Sequence, residues 1–249
     1  MKIAMFGGSF NPVHNGHIEL AKAVHEQAGY DKVLFVPAYH SPFKDLPSGA
    51  SDDDRLCMLR LALAGFDWAC IEDCELRRGG VSYTYDTVEF LEQKYAASGE
   101  FDKNRDGKLG LVIGADLVAG FTHWYRAEEL AAKVDIILAR RNLDTPCDKP
   151  EFAYYELKHP YVDVSSSEIR DAVHKAAGKV PRGAKHGRSA VRRAQNATAA
   201  QSKASRGTKT AQSAKSAPSA KNAQSSKIEL MALVPESVCD YILERRLYE

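Results

Sequence analysis

Five short runs, KIAMF (2–6), KVLFVP (32–37), LGLVIGA (109–115), VDIILAR (134–140) and YVDV (161–164), are rich in apolar residues without the alternation of a half-solvated strand. Strands of that kind need apolar partners on both faces, as in a parallel sheet covered by helices. The intervening chain supplies such partners, with helical patterns over roughly 16–28, 53–65, 84–97, 127–133 and 167–177. The alternation predicts an α/β fold, a Rossmann-like parallel sheet wound with helices. In these sheets ligands sit outside the carboxyl ends of the strands. Gly7-Gly8, Pro37 to Lys44, Gly114 to Asp116 and Arg140-Arg141 fall at those ends.

Charge divides the chain into two physically different pieces. Thirteen of its 34 Lys and Arg residues lie between Ala172 and Ile228, where there is no Asp or Glu. The formal net charge of +1 therefore hides a basic segment beside an acidic remainder. Residues 179–227 are mostly Ala, Ser, Lys, Gln, Thr and Gly, so little apolar burial can offset the entropy of ordering them. They are expected to form a disordered basic insertion between a core of residues 1–178 and a returning segment, 228–249. In that last segment Leu233, Val238, Ile242 and Leu243 suggest a closing helix that begins near Pro235. The insertion has no aromatic residue for base stacking, so any nucleic-acid contact through it would be weak, electrostatic and salt-dependent. A solvated linker is the plainer reading. The five cysteines form no C-x-x-C pair and read as reduced thiols. The longest apolar runs are too short to span a bilayer, and the first residues lack the pattern of a secretory leader. A cytoplasmic location is expected.

The first strand runs into GGSFNPVHNGH, residues 7–17. A glycine turn that opens into a helix presents unpaired amides and the positive end of the helix dipole, which suits an anion. The stretch is neither G-x-G-x-x-G nor a Walker loop. It offers His14 and His17 instead, three residues apart and able to share one helix face. As metal ligands they lack a nearby third partner. Among Asn11, Asn15 and Gly16 they are poorly placed as core residues. Donation to phosphate oxygens fits them best.

GGSFNPVHNGH resembles the H-x-G-H signature of the nucleotidyltransferase superfamily, and VSSSEIR (164–170) resembles its second signature. LRRGGVSYTYDTVEFL (76–91), LVIGADLVAGFTHWYRAEEL (111–130), IILARRN (136–142) and the terminal LVPESVCDYILERRLY resemble the bacterial nicotinate-nucleotide adenylyltransferases of NAD synthesis. The resemblance covers residues 1–178 and 228–249. It implies transfer of the adenylyl group of ATP to nicotinate mononucleotide, giving deamido-NAD and pyrophosphate, with Mg2+ carried on the nucleotide phosphates. A preference for nicotinamide mononucleotide is the nearest alternative. The attacking group is already a phosphate oxyanion, so neither a general base nor a covalent intermediate is needed.

The same resemblance implies roles for particular residues. The backbone of Gly8, Ser9 and Phe10 would receive phosphate, and His14 and His17 would contact the ATP phosphates. Ser166, Ser167 and Arg170 would hold the triphosphate from the other side, although serines 165–167 also suit a helix N-cap. Lys44 matches a basic loop position, but Phe43 stands where the family carries a histidine. His14, His17, Lys44 and Arg170 are thus the implied catalytic group. Asp116 would accept ribose hydroxyls or cap a helix. Trp124 would stack on the pyridine ring. Tyr83 and Thr84 would offer backbone amides to the nicotinate carboxylate, and Arg140 would face phosphate. No protein side chain is expected to ligate metal.

Overall fold

The computed structural model describes residues 1–40, 49–140, 152–158, 164–177 and 230–249. Six strands form one sheet: β1 (Ile3–Gly8), β2 (Lys32–Pro37), β3 (Ala69–Ile71), β4 (Gly110–Gly114), β5 (Asp135–Ala139) and β6 (Tyr154–Glu156). Their order is β3-β2-β1-β4-β5-β6 and every pairing is parallel. The sequence reverses its direction of winding between β1 and β4, which makes the carboxyl ends of these two strands the natural ligand crevice. β1 and β4 end in Gly7-Gly8 and Gly114, respectively.

The four long strands were legible because both of their faces are covered. Ala4 and Phe6 of β1 lie with Val33 and Phe35 of β2 in one apolar cluster, completed by Ile18 and Val24 of α1 (Asn15–Ala28) and Met58 and Leu59 of α2 (Asp52–Leu63). Ile3 and Met5 point the other way, into a second cluster with Leu34, Val36 and Leu111, closed by Val88 and Leu91 of α4 (Thr84–Ala97). Further helices among the described residues are α3 (Cys74–Arg78), α5 (Lys103–Asp106), α6 (Ala127–Lys133), α7 (Ser166–Ala176) and α8 (Glu236–Glu244), with a 3₁₀ segment over Ala115–His123.

The two edge strands differ from the sequence reading. β3 and β6 have three residues each, too few to register as buried apolar runs, and β6 exposes Tyr155. Of the strand expected at 161–164, residues 161–163 lie outside the described residues and Val164 is buried just before α7. The expected basic insertion, 179–227, also lies outside them. No helix among the described residues is long and apolar enough to cross a membrane.

The closing helix starts after Pro235 and packs on α2 through Val238, Cys239 and Ile242, all fully buried. Asp54 joins the two helices. Its carboxylate accepts the Ser51 hydroxyl at 2.6 Å, the Tyr241 hydroxyl at 2.9 Å and Arg245 Nη2 at 3.3 Å. Burial works against ionisation, but the hydrogen bonds from Ser51 and Tyr241, with the Arg245 charge, outweigh it and hold the carboxyl below its ordinary value. A depressed carboxyl contributes stability that is present above its unfolded pKa and lost as pH falls through the folded one. The melting temperature is therefore expected to fall as pH drops below about 4. Asp54→Asn should flatten that dependence, as thermal unfolding of both proteins between pH 2 and 6 would reveal.

Candidate active site

The turn after β1 is held from below by a fully buried arginine. Arg55, on the first turn of α2, has no solvent exposure. Its Nη1 donates to the Ser9 carbonyl at 2.7 Å and the Ala38 carbonyl at 2.9 Å, while Nη2 meets Asp52 at 2.6 Å. One guanidinium thus fastens the ends of two adjacent strands. Its planar fork of donors suits two divergent carbonyls better than an ammonium would. Above it Phe10 adopts φ 44°, a left-handed conformation that a bulky residue keeps only where its surroundings hold it. The ring, 1% exposed, packs edge-on to Phe6 at 5.5 Å and to His17 at 5.0 Å.

His14 is the N-cap of α1, a position usually given to Ser, Thr, Asp or Asn. It is 3% exposed, and its ring stacks on that of His17 with centroids 3.6 Å apart. The His14 amide donates to His17 Nδ1 at 3.2 Å. An Nδ1 that accepts a hydrogen bond leaves the ring proton on Nε2, so His17 is set as a neutral Nε2–H donor. The structure thus brings together the two histidines that the sequence placed on one helix face.

The late helix closes on this turn. Ser166 donates to the Pro12 carbonyl at 2.9 Å, and Arg170 Nη1 donates to the Asn11 carbonyl at 2.7 Å. Arg170 Nη2 reaches Ser167 Oγ at 3.1 Å. Capping of α7 falls to Ser165, whose hydroxyl accepts the Glu168 amide. The C-terminal segment adds a third fastening. The Tyr248 hydroxyl donates to Asn11 Oδ1 at 2.8 Å, and the Asn15 amide donates to the Leu233 carbonyl at 3.0 Å.

Beside the turn lies a cleft of about 230 Å³. Gly8, Ser9, Tyr83, Thr84 and Trp124 line it, so the structure gathers five of the expected residues there. Tyr83 is the N-cap of α4, which places the start of that helix at the cleft wall. Trp124 is half-buried against Phe121 at 5.1 Å, and Tyr125 lies 4.8 Å from the Tyr83 ring. Asp116 is not among the lining residues. It folds back over Gly114, where a Cβ would meet its Oδ1 at 2.4 Å, and the N-cap there is Gly114. Arg140 is paired with Glu156 of β6 at 2.9 Å. Lys44 and Phe43 lie outside the described residues.

Several lining residues were given no role from sequence, among them Glu75, Ser82, His123 and Tyr125, although the last three lie within the stretches that carry the family resemblance. Arg55 was hidden in SDDDRLCMLR, which reads as an ordinary solvated helix start. Ser82 adjoins Tyr83 within the 76–91 stretch, whereas Glu75 lies one residue ahead of that stretch. Among the described residues no group of three or more His, Cys, Asp or Glu could hold a metal ion.

Residues 5–172 match the cytidylyltransferase-like family model. The chain belongs to the cytidylyltransferase-like family. Among curated members, a probable nicotinate-nucleotide adenylyltransferase of Treponema pallidum (strain Nichols) is 47% identical over 141 residues, 57% of this chain and 66% of that one. The chain thus spans just under two thirds of that relative's length. The like-named protein of Streptococcus pneumoniae serotype 4 is 38% identical over 182 residues, 72% of this chain and 80% of that one. That of Borreliella afzelii is 36% identical over 173 residues, 70% and 84% of the two chains. The fold is shared with the Plasmodium falciparum nicotinic acid mononucleotide adenylyltransferase complexed with NaAD. That match has a TM-score of 0.61 at 15% identity and covers 99% of this chain and 97% of the other.

Gly8 ends β1 against the ring of Phe10. A Cβ there would meet three atoms of the Phe10 ring at 3.0–3.2 Å. Gly8→Ala is expected to destabilise the protein by about 1–3 kcal/mol in urea unfolding. Because Phe10 seats His17, the imidazole resonances of His17 should shift in the NMR spectrum. Unmoved resonances would show that Phe10 does not position that ring.

Proposed function

We propose that this chain transfers the adenylyl group of ATP to nicotinate mononucleotide, releasing pyrophosphate and forming deamido-NAD. The observation that carries the reading is a juxtaposition: at the carboxyl ends of β1 and β4, a histidine turn adjoins an aromatic cleft that receives the N-terminus of α4. The similarity to curated nicotinate-nucleotide adenylyltransferases supports it. Magnesium enters on the nucleotide phosphates, as part of the substrate.

A phosphate oxygen of the mononucleotide attacks the α-phosphorus of ATP in line. A new P–O bond forms as the α–β bridge breaks, and the electron pair leaves on pyrophosphate. The task is to bring two polyanions together and to stabilise charge on the α-phosphoryl oxygens, for which positioning can supply about 7–11 kcal/mol. His17 donates its Nε2–H to a phosphate oxygen, and His14, stacked against it, shares that task. The Gly8 to Phe10 backbone lies along the nucleotide. Ser166, Ser167 and Arg170 lie on the other side of the turn, where Arg170 and Ser166 also bind its carbonyls. Lys44 completes the phosphate-binding group, and Asp116 accepts ribose hydroxyls. The nicotinate ring stacks on Trp124 with its carboxylate at the first amides of α4, Tyr83 and Thr84, where the helix dipole favours a negative group. Arg140 serves the mononucleotide phosphate. We place the catalytic unit in residues 1–178 and 228–249, with 179–227 as a basic insertion between them, in a cytoplasmic enzyme.

His17→Ala is expected to lower kcat by at least about 100-fold, the scale of one lost preorganised donor, with the circular dichroism spectrum unchanged. Wild-type turnover in that variant would remove His17 from the chemistry. Comparing kcat/KM for the two mononucleotides with ATP and magnesium tests the acceptor. The acid should be preferred by at least about tenfold, since a charged hydrogen bond is worth roughly 1.5–3 kcal/mol. Equal or reversed values would favour the nicotinamide nucleotide.

A further inference from the structure

Glu75 lines the cleft wall, is only 4% exposed, and has no part in the phosphate chemistry or the ring stacking described above. Its carboxylate accepts the Thr87 hydroxyl at 2.7 Å and is also hydrogen-bonded to the Ser82 hydroxyl. These two buried residues bracket Tyr83-Thr84 on either side. Each hydroxyl has a single proton to give. For Thr87 the contact to Glu75 is the shorter one, against 3.2 Å to the Tyr83 carbonyl.

With their protons committed to Glu75, both hydroxyl oxygens turn lone pairs outward. Ser82 Oγ accepts the Tyr39 amide at 3.2 Å, and Thr87 Oγ1 accepts Arg78 Nη2 at 3.0 Å. One carboxylate on α3 therefore sets the direction of a network joining the segment after β2, the end of α3 and the first turn of α4. Burial pushes the Glu75 carboxyl up, opposed by the Thr87 and Ser82 hydrogen bonds and the nearby Arg78 and Arg55 charges. A buried ionisable group is a costly way to fill space that an apolar side chain could occupy. The same side chain organises the wall that carries the first amides of α4.

We propose that Glu75 is a positioning residue that sets the Tyr83-Thr84 turn and, through it, the acceptor half of the cleft. The proposal rests on the nicotinate mononucleotide reading given above. It separates the two substrates: the acceptor depends on this turn, whereas ATP is held by the histidine turn across the cleft.

Glu75→Gln keeps the shape but replaces one acceptor oxygen with an NH₂ donor. A hydroxyl that meets the new NH₂ must turn its proton elsewhere, for Thr87 to the Tyr83 carbonyl at 3.2 Å, which alters the hydrogen bonding of the turn itself. In E75Q the KM for nicotinate mononucleotide is expected to rise about tenfold, while kcat and the KM for ATP stay within about twofold. The melting temperature should move by no more than about 3 °C. Ser82→Ala and Thr87→Ala should shift the acceptor KM in the same direction, and T87A should add less in the E75Q background than in the wild type. Unchanged KM values, or equal changes for both substrates, would overturn the proposal. If E75Q does not fold, S82A and T87A carry the test, and a wild-type acceptor KM in both overturns it. Wild-type protein in the same assay separates the two readings. No wild-type turnover of nicotinate mononucleotide overturns the proposed function and this inference together. Turnover by wild type with no selective effect in E75Q overturns only the role of Glu75.

Discussion

The buried guanidinium of Arg55 is the interaction on which the candidate site most depends. Parallel strands end in loops that have no neighbour to pair with, so their carbonyls need other donors. Arg55 supplies them to Ser9 and Ala38 from the first turn of α2, with Asp52 as its counter-charge. Desolvating the ion costs several kcal/mol, and charge-assisted hydrogen bonds of about 1.5–3 kcal/mol each offset much of that. The return is rigidity where the chain must approach a polyanion. Phe10 can hold its left-handed backbone, and seat His17, because Ser9 is fixed beneath it.

The histidine turn is equally constrained from above. Arg170 and Ser166 reach it from α7, and Tyr248 and the Leu233 carbonyl reach it from the C-terminal segment. Two stretches distant in sequence, α7 and the C-terminal segment, therefore converge on residues 11–15. Arg170 and Ser166 have a structural task even without nucleotide, so their substitution would act on both the turn and the phosphates. Asp54 ties α8 to α2, so the helix that carries Arg55 is joined to the one that leads to Tyr248.

The two halves of the site use different physics. The histidine turn offers imidazole and amide donors, suited to diffuse charge on phosphate oxygens. The cleft offers aromatic area from Tyr83, Trp124 and Tyr125 together with the dipole of α4, suited to a flat ring with one negative group. Glu75 belongs to the second half, and its hydrogen bonds to Ser82 and Thr87 keep that half in one arrangement.

The sequence by itself determined the four long strands of the sheet, the place of the ligand crevice and the residue types at the histidine turn. Those properties follow from local pattern: apolar runs buried on both faces, glycines at strand ends, and histidines spaced for one helix face. It also located the Tyr83-Thr84 turn and Trp124, through motif resemblance, in what proved to be the lining of one cleft. The short edge strands β3 and β6 escaped it, because three residues carry almost no periodic signal. Only the tertiary structure decided that Arg55 is buried, that Arg170 and Ser166 grip backbone carbonyls, and that Arg140 faces Glu156. It alone joined Glu75 to Ser82 and Thr87. A charged side chain reads as solvated in any local window. Whether it is solvated depends on which distant segments fold over it, and that is a property of the packed chain.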